Sequence, residues 1–412
     1  MAAARTLADW AHDLDPSEDD RALARRSLRD TLAVTLAARD HPLVPLTHGL
    51  PEEARWAAIG HVLDFDDLHL PSTTHISVVC VPAVLAVGGG ERDYLAAAGV
   101  MARLGTALGW RHYTDGWHAT CTAGAPAAAA GAALALGLPA DRVATAMALA
   151  VPAAGGVQRA FGTDAKSLQV GFAAHAGVRA ARLAAAGADA DPTALDQWLA
   201  IMGGEPAALD TGGDAVPDGL ATKIHPCCYA MQRPIEAVRS LGPIDHSAVE
   251  RIEVEAPEAT LHPLIHHRPD TGLQAKFSLE YALAAAVMDG HPGFAGFTDR
   301  AAQRPEARRL VAAVDVRTTP GGHGLLDGST TVRVRTRDGA VLDTTLDLPA
   351  GAPRRPATDT ELAAKFADCG ADVPELVDRT TWSNAPELLR SRFPGAPGGV
   401  PRGNAPNTEV HG

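Results

Sequence analysis

The feature that most limits the folds open to this chain is its reliance on alanine in apolar segments. A typical run, AAAAGAALAL, covers residues 127–136. Aromatic residues make up only 4% of the chain, whereas hydrophobic residues make up 46%. Because the distance between packed helices depends on the side chains at their contact, small residues allow close approach. The sequence therefore predicts a core of small aliphatic side chains between closely packed helices.

Length and charge limit the architecture and the classes of partner. A chain of 412 residues is longer than one hydrophobic core usually organises, so two domains are expected. The charged fraction of 21% is typical of a soluble globular protein. The net charge is −13, from 36 basic and 49 acidic residues, and no stripe of lysine or arginine stands out. Nucleic acid and anionic membranes are therefore not expected as partners.

The cysteine pattern indicates a reducing compartment. The five cysteines are irregularly spaced, two are adjacent, and no CxxC motif occurs. This pattern indicates neither a disulfide framework nor a zinc site. The N-terminal segment MAAARTLADWAHDLD predicts a polar helix rather than a signal peptide, and no apolar run reaches the length of a membrane span. We therefore expect a cytoplasmic protein.

The pattern of apolar residues changes once along the chain, near Lys223. Residues from about 22 to 213 show helical periodicity with glycine stops. After the change, residues 249–256 alternate with period two, and AAVDVRT does so more weakly. Residues 330–348 read as two strands joined by Asp338-Gly339, a strong hairpin signal. Helical patterns occur between the strands, in KFSLEYALAAAVMDG, and again after them.

These patterns predict a mainly α fold with two domains. The larger, all-helical domain would comprise residues 1–221 and 353–394 and would therefore be discontinuous. A smaller α+β lid domain would comprise residues 222–352. The remaining residues, 395–412, are rich in proline and glycine and are predicted to be a disordered tail.

Titratable residues concentrate in the segment DFDDLHLPSTTHIS, residues 64–77. It contains three carboxylates and two histidines: Asp64, Asp66, Asp67, His69 and His75. One interpretation is a solvated cluster that caps a helix on a surface loop. A second is the DxDD pattern of terpene cyclases or a magnesium-binding motif, although 4% aromatic residues offer little to line a carbocation cavity. A third is part of an active site.

Two further segments carry candidate groups at predicted helix starts. In DGWHATCTAGAP, His118 precedes an alanine-rich helix, where the helix dipole and free backbone N–H groups favour anions. Alternatively, Thr120 or Thr122 simply caps that helix. In FGTDAKSLQVG, Lys166 opens a mostly apolar helix. Its ammonium group either reaches solvent or points into a pocket.

Two more segments contain clustered histidines or cysteines. In ATKIHPCCYAMQRPIEAV, Lys223, His225 and the Cys227-Cys228 pair lie at the predicted domain junction, where ligand clefts often form. We interpret both cysteines as packing or pocket-lining residues. The segment LHPLIHH contains three histidines, but neither a carboxylate nor a cysteine is placed to complete a metal site.

In their order along the chain, these segments resemble the MmgE/PrpD family. The family includes 2-methylcitrate dehydratase, cis-aconitate decarboxylase and iminodisuccinate epimerase. The resemblance lies in DFDD…H, GWHAT, FGTDAK…AAHAGVRAA, KIHPCCYAMQRPIEA, FSLEYALAAAVMDG and TDTELAAKF, and it covers residues 22–393. It implies a helical domain completed by the C-terminal helices, an α+β lid, a homodimer, and chemistry that needs no metal or other cofactor.

The resemblance also implies which residues act. The catalytic residues would be Asp64, His75, His118, Lys166 and Lys223. The expected substrate-binding residues are Thr74, Thr120, His225, Cys228 and Tyr281. Two departures from the family pattern concern the decarboxylases. The spacing from Asp64 to His75 is one residue longer than in those enzymes, and Cys228 stands where they place a histidine. Decarboxylation is therefore less favoured.

These groups together suggest proton abstraction beside a carboxylate. Two lysines would bind a small di- or tricarboxylate and stabilise enolate-like charge. Histidines would serve as acid and base, and Asp64 would orient one of them. Dehydration of a 2-methylcitrate-like substrate is the first hypothesis, epimerisation the second, and cis-aconitate-type decarboxylation the third. A non-catalytic binding protein and a magnesium-dependent terpene cyclase are the alternatives from other classes.

Overall fold

The computed structural model describes residues 2–395 and confirms a mainly α fold with a smaller α+β part. The first ten α-helices are α1 (Ala3–Asp13), α2 (Glu18–Ala37), α3 (Leu43–Leu46), α4 (Glu52–His61), α5 (Ser77–Leu85), α6 (Glu91–Thr114), α7 (Ala119–Ala135), α8 (Ala140–Ala150), α9 (Asp164–Ala185) and α10 (Ala194–Ile201). The predicted disordered tail lies outside the described residues, apart from Gly395.

Helix α2 begins four residues before the predicted start at residue 22, and its N-cap explains why. The Ser17 hydroxyl accepts a hydrogen bond of 3.1 Å from the Asp20 backbone N–H. The Asp20 carboxylate accepts one of 2.9 Å from the Ser17 backbone N–H. This reciprocal capping box satisfies two otherwise free donors and fixes the helix start.

The predicted close packing of small residues is confirmed where α7 meets α9. Every residue of α7 from Ala119 to Ala133 is buried. A Cβ atom placed on Gly177 in α9 would lie only 2.4 Å from the Ala128 Cβ atom in α7. Only glycine allows this approach, so the small residues of both helices bring their backbones together.

The remaining elements form the α+β part and the C-terminal helices. They are α11 (Gln232–Ser240), β1 (Val249–Pro257), α12 (Glu258–Leu261), α13 (Gly272–Ala275), α14 (Leu279–Asp289), α15 (Asp299–Ala302), α16 (Pro305–Ala312), β2 (Val314–Thr319), β3 (Thr330–Thr336), β4 (Val341–Leu346), α17 (Asp359–Asp368), α18 (Val373–Arg379) and α19 (Ala385–Arg392). Single 3₁₀ turns occupy Val151–Ala153, Gln158–Ala160, Pro206–Ala208, Tyr229–Met231 and Phe294–Phe297.

The strands form one four-stranded sheet in the order β2-β1-β3-β4. Strands β1 and β2 are parallel, and the other two pairs are antiparallel. The predicted hairpin is confirmed, since β3 and β4 pair across a turn in which Gly339 has a φ of +89°. The inward side chains of β1 and β3 pack on α11, α14 and α16.

The hydrophobic side chains form two main clusters. The first joins residues 3–216 with residues 366–393, and the second joins residues 227–346 with Phe161. The stretch around Lys223 connects these clusters. This separation agrees with the change in sequence pattern, while the domain boundaries given above stay a prediction. None of the helices within residues 2–395 is long and apolar enough to cross a membrane.

Candidate active site

The loop between α4 and α5 carries the DFDD segment and is held from two sides. The Lys365 ammonium group of α17 donates a hydrogen bond of 3.0 Å to the Phe65 carbonyl. Leu68 and Ala221 exchange two backbone hydrogen bonds of 3.0 and 2.8 Å. Asp64 itself has a φ of +54°, in the left-handed region. Asp64, Asp66 and Asp67 are all buried, so the interpretation as a solvated surface cluster is wrong.

Asp64 receives two ammonium groups on one carboxylate oxygen. Lys166 Nζ lies 3.0 Å and Lys223 Nζ 2.9 Å from Asp64 Oδ1. Lys223 Nζ also donates to the Asp64 carbonyl at 2.9 Å. Burial opposes ionisation of Asp64, but the two lysines outweigh it and hold the pKa of this carboxyl far below its usual value. Asp64 is therefore a buried anion that binds and orients both cations.

Asp66, rather than Asp64, orients the histidines. Its Oδ2 atom lies 2.8 Å from His61 Nδ1 and 3.1 Å from His75 Nδ1. The rings of His61 and His75 meet edge to face, with centroids 4.8 Å apart. Burial opposes it, but the two histidines hold the pKa of Asp66 well below its usual value. The sequence analysis expected Asp64 to orient a histidine, but in the structure Asp66 does so.

His61 links the histidine network to the lysines. Its Nδ1 atom faces Asp66, and its Nε2 atom lies 2.6 Å from Lys166 Nζ. Because an ammonium group can only donate, His61 Nε2 must be the acceptor and Nδ1 carries the ring proton. Burial lowers the pKa of His61 to about 4, which keeps the ring neutral. Both ring nitrogens therefore make hydrogen bonds, and His61 connects the Asp66 carboxylate to the Lys166 ammonium group.

The surroundings of His75 leave one ring nitrogen free. Its Nδ1 atom lies 2.9 Å from the Asp67 carbonyl and 3.1 Å from the Asp66 carboxylate, both of which only accept. Nδ1 therefore carries the proton, and Nε2 holds a lone pair. Across residues 2–395, no group hydrogen-bonds to that Nε2, and 11% of the His75 side chain is exposed. Burial lowers the pKa of His75, so the ring stays neutral.

His118 differs from His75 because a donor, rather than an acceptor, contacts its Nδ1 atom. It is the N-cap residue of α7, as the sequence predicted, and its backbone N–H donates to the Gly156 carbonyl at 3.0 Å. Its ring packs on Phe161 and lies 5.9 Å, centroid to centroid, from the ring of His61. The Nδ1 atom lies 2.6 Å from Gln169 Nε2, an amide donor. Burial, reinforced by Lys166, holds the pKa of His118 well below its usual value.

The Asp67 carboxylate points away from the lysines. It accepts from the Ser77 backbone N–H at 3.1 Å and from the Ser77 hydroxyl, which also contacts the Tyr94 hydroxyl. Burial raises the pKa of Asp67 to about 7. Asp67 also lines a small recess beside Asp30 and Phe366. Asp67 thus ties the loop to the start of α5, and only its carbonyl reaches His75.

The site contains a third lysine, Lys276, in addition to Lys166 and Lys223. Its ammonium group donates to the Leu63 carbonyl at 2.7 Å and to the Pro226 carbonyl at 2.5 Å. The first carbonyl belongs to the α4–α5 loop and the second to the segment that follows Lys223. Burial lowers the pKa of Lys276 to about 8, although Asp64 opposes this shift. Lys276 therefore joins the two parts of the site and adds positive charge.

Of the predicted substrate-binding residues, two lie beside this cluster. The Thr120 hydroxyl accepts a hydrogen bond of 3.0 Å from the His75 backbone N–H. The Cys228 thiol lies in the field of Asp64 and Lys223, and burial raises its pKa to about 12. Both residues are buried. Thr120 therefore supports His75, and Cys228 remains a neutral thiol near the lysines.

The other three are not brought into contact with the cluster. The His225 ring packs at an angle of 48° against the His291 ring, with centroids 4.6 Å apart, and faces Glu236. Tyr281 donates its hydroxyl to the Gly296 carbonyl inside the second hydrophobic cluster. The Thr74 hydroxyl contacts Ser72 at 2.5 Å. The three side chains thus bond to groups outside the cluster, and His225 Nε2 has no hydrogen-bond partner within residues 2–395.

Sequence reasoning assigned no role to four residues of the cluster: His61, Asp66, Lys276 and Gln169. Two of them carried a usable signal. His61 is a histidine in an apolar helix three residues before Asp64, and Asp66 lies within the DFDD motif. Lys276 and Gln169 become site residues only through tertiary contacts.

Four possible metal ligands lie within 4.8 Å of one another: His61, Asp64, Asp66 and His75. Their contacts do not fit a divalent cation. His61 Nε2 and Asp64 Oδ1 each face an ammonium group, at 2.6 and 2.9–3.0 Å. These positive charges would repel a metal ion, and the Nδ1 atoms of both histidines carry protons. Asp64 and Asp66 each use one carboxylate oxygen in these ion pairs, which counts against the magnesium-dependent terpene hypothesis.

Comparison with known proteins identifies relatives of this chain. The MmgE/PrpD N-terminal domain matches residues 50–202, and the MmgE/PrpD C-terminal domain matches residues 225–387. The chain is 25% identical to cis-aconitate decarboxylase of Aspergillus terreus over 360 residues, which is 75% of this chain and 72% of that protein. It is also 25% identical to cis-aconitate decarboxylase of Homo sapiens over 368 residues, 80% and 73% of the two chains. Since the two family domains match most of the sequence in the expected order, the chain belongs to the MmgE/PrpD family.

Proposed function

We propose that this protein is a cofactor-independent lyase that removes a proton beside a carboxylate of a small di- or tricarboxylate and then eliminates water. The observation that carries the proposal is the free Nε2 lone pair of His75, next to two buried lysines that share Asp64. A neutral base beside fixed cations is what proton abstraction next to a carboxylate requires.

The lysines supply the binding charge. An ammonium group has three protons. Lys166 uses two of them on His61 and Asp64, and Lys223 uses two on the carbonyl and carboxylate of Asp64. Among residues 2–395, no group accepts the third proton of either lysine, so one proton of each is left for a substrate carboxylate. In a chain of net charge −13, this local positive field favours an acidic small molecule.

The proton transfers balance within one catalytic cycle. His75 Nε2 takes the proton from the α carbon, and the electron pair moves into the adjacent carboxylate, where Lys166 and Lys223 stabilise the charge. The pair then forms the carbon–carbon double bond as the β C–O bond breaks. The proton on His75 leaves with the hydroxide as water, and His75 returns to its neutral state. His118 donates a hydrogen bond to the oxygen on which charge develops.

Decarboxylation is the second candidate, favoured by the similarity to cis-aconitate decarboxylases. That reaction breaks a C–CO₂ bond and needs an acid to protonate carbon. Burial lowers the pKa of both His75 and His118, so neither ring is protonated near neutral pH, and burial raises the pKa of the Cys228 thiol to about 12; none of the three is a ready proton donor. Epimerisation likewise needs an acid on the opposite face. The neutral histidines therefore favour elimination.

Proton NMR in D₂O with EDTA present tests the proposal. The enzyme would be incubated separately with 2-methylcitrate, citrate, cis-aconitate and iminodisuccinate. We expect a new vinyl signal from citrate, or replacement of the methyl doublet of 2-methylcitrate by an allylic methyl singlet, with deuterium entering the α carbon on reversal. Carbon dioxide release from cis-aconitate would support the decarboxylase instead, and exchange without either alkene signal would support the epimerase. Absence of exchange with all four would favour a non-catalytic binding protein.

The pKa of Lys276 predicts an alkaline limit on substrate binding. Because this pKa is lowered to about 8, Lys276 loses its charge as the pH rises through that value. We expect KM for the acidic substrate to rise by about tenfold above this pH, corresponding to about 1.4 kcal/mol, while kcat changes less. Steady-state kinetics across the alkaline range measures the effect. Lys276→Arg keeps the charge and should remove the dependence; an unchanged alkaline limit in that variant would contradict the assignment.

A further inference from the structure

One residue of α9 that carries no assigned role, Gln169, makes direct contact with the His118 ring. Gln169 follows Lys166 by three residues, so both side chains project from the same face of α9 toward the site. The Gln169 amide pairs with the backbone of Val157. Its Oε1 atom accepts from the Val157 N–H at 3.1 Å, and its Nε2 atom donates to the Val157 carbonyl at 3.3 Å. The two-sided pairing fixes which end of the amide is nitrogen.

The orientation of the Gln169 amide determines which ring nitrogen of His118 carries the proton. The second Gln169 N–H is directed at His118 Nδ1, 2.6 Å away. Cys121 Sγ lies 3.2 Å from the same nitrogen, and burial raises the pKa of this thiol, which therefore remains a donor. With donors on both contacts, Nδ1 must accept, so a neutral His118 carries its proton on Nε2. Within the described part of the chain, Nε2 has no hydrogen-bond partner.

The approach of Val157 to α7 depends on its neighbour. Gly156 has a φ of +131°, and a Cβ atom on it would lie 2.7 Å from the Cys121 Cβ atom. The backbone can therefore pass close to the start of α7 only with glycine at this position. This passage places the peptide groups of Val157 where they hold the Gln169 amide against His118.

We propose that Gln169 is a positioning residue that holds His118 as a neutral imidazole with its proton on Nε2. His118 then acts as a fixed hydrogen-bond donor toward the reacting oxygen and does not titrate during turnover. An imidazolium would place a second N–H against the Gln169 N–H, and the amide would have to give up its pairing with Val157 to avoid two opposed donors. The catalytic role given to His118 here rests on the proposed function, whereas the assignment of its tautomer does not.

The tautomer can be observed directly in the full chain labelled with ¹⁵N-histidine. Two-bond ¹⁵N–¹H correlation spectra distinguish the two neutral tautomers and the charged ring, and loss of a signal in His118→Gln assigns it. We expect wild-type His118 to remain neutral with its proton on Nε2 between about pH 5 and 8, where an ordinary histidine changes charge. In Gln169→Glu, the carboxylate accepts where the amide donated, so the proton should move to Nδ1 or the ring should become charged.

Kinetics of the same variants separates positioning from packing. Gln169→Glu keeps an acceptor for the Val157 N–H, and we expect its kcat to fall by about 10²-fold with little change in KM, the loss seen when one preorganised donor is removed. Gln197→Glu, on the exposed face of α10, adds the same charge away from the site and should leave kcat unchanged. Cys121→Ala should keep the Nε2 tautomer, because the Gln169 contact remains.

The outcomes distinguish this inference from the proposed function. A wild-type His118 that carries its proton on Nδ1, or that titrates as an ordinary histidine, overturns the inference even if the enzyme eliminates water. An Nε2 tautomer in the wild type that is unchanged in Gln169→Glu also overturns it, since another group would then set the ring. The expected tautomers without turnover of any tested acid would retain the positioning role and contradict only the proposed lyase.

Discussion

His75→Asn is expected to lower kcat by about 10²–10⁴-fold, the usual contribution of general acid–base catalysis, with a nearly unchanged free energy of unfolding. Asparagine places an amide N–H near the position of Nδ1, so the hydrogen bond to the Asp67 carbonyl can persist. What the variant lacks is the Nε2 lone pair. Steady-state kinetics and denaturant unfolding of the purified variant provide the two measurements.

A matched replacement of His118 sharpens this test. In His118→Gln, the side-chain amide presents an N–H near the position of Nε2, so a residue needed only as a donor is partly replaced. We therefore expect a smaller loss of kcat than in His75→Asn. The opposite order would assign the base to His118. Near-wild-type turnover in His75→Asn, with the variant folded, would remove His75 from the proton transfer altogether.

The pH dependence follows from the same contacts. A base works only when unprotonated, and burial lowers the pKa of His75. Activity should therefore persist at pH values below the ordinary histidine pKa of about 6.5 and fall only at more acidic pH.

Much of the fold could be predicted because its signals are local. The hairpin of β3 and β4 follows from two alternating runs around Asp338-Gly339, and Gly339 has the positive φ that such a turn needs. The close contact of α7 with α9 follows from their small residues. The start of α2 was misplaced because the capping box at Ser17 lies among charged residues, outside the apolar pattern.

The site was predictable in its parts but not in its connections. The motif that contains Asp64 drew attention to the loop, yet sequence spacing cannot show that Asp66 faces the histidines while Asp64 faces the lysines. Oxygen atoms of the two carboxylates lie within 4.8 Å of each other, so only the tertiary contacts with the histidines and lysines separate their roles. Tyr281, which family resemblance names, stays a prediction, since in the structure its hydroxyl donates to the Gly296 carbonyl and not to the cluster.

The second large effect is expected at the buried Asp64–lysine pairs, where a substitution should lower both the free energy of unfolding and the activity. Lys223→Met removes one of two cations from a buried carboxylate, and its side chain is fully buried. Removing one partner of a buried ion pair typically costs about 3–5 kcal/mol where the remaining charge is left uncompensated, and the lower end applies here because Lys166 still pairs with Asp64. We therefore expect Lys223→Met to unfold at much lower denaturant concentration and to lose activity.

Adding Asp64→Asn to Lys223→Met separates these two losses. The neutral amide no longer needs a second cation, but it also leaves Lys166 without its carboxylate, so only part of the lost stability should return. Turnover should not return, because the substrate carboxylate still lacks Lys223. Lys365→Met is the matched control, since Lys365 is equally buried and lies 2.6 Å from Asp30. Asp64→Asn should leave the instability of that variant uncorrected. If it restored both variants equally, or neither, the specific pairing of Asp64 with Lys223 would not be what stabilises the site.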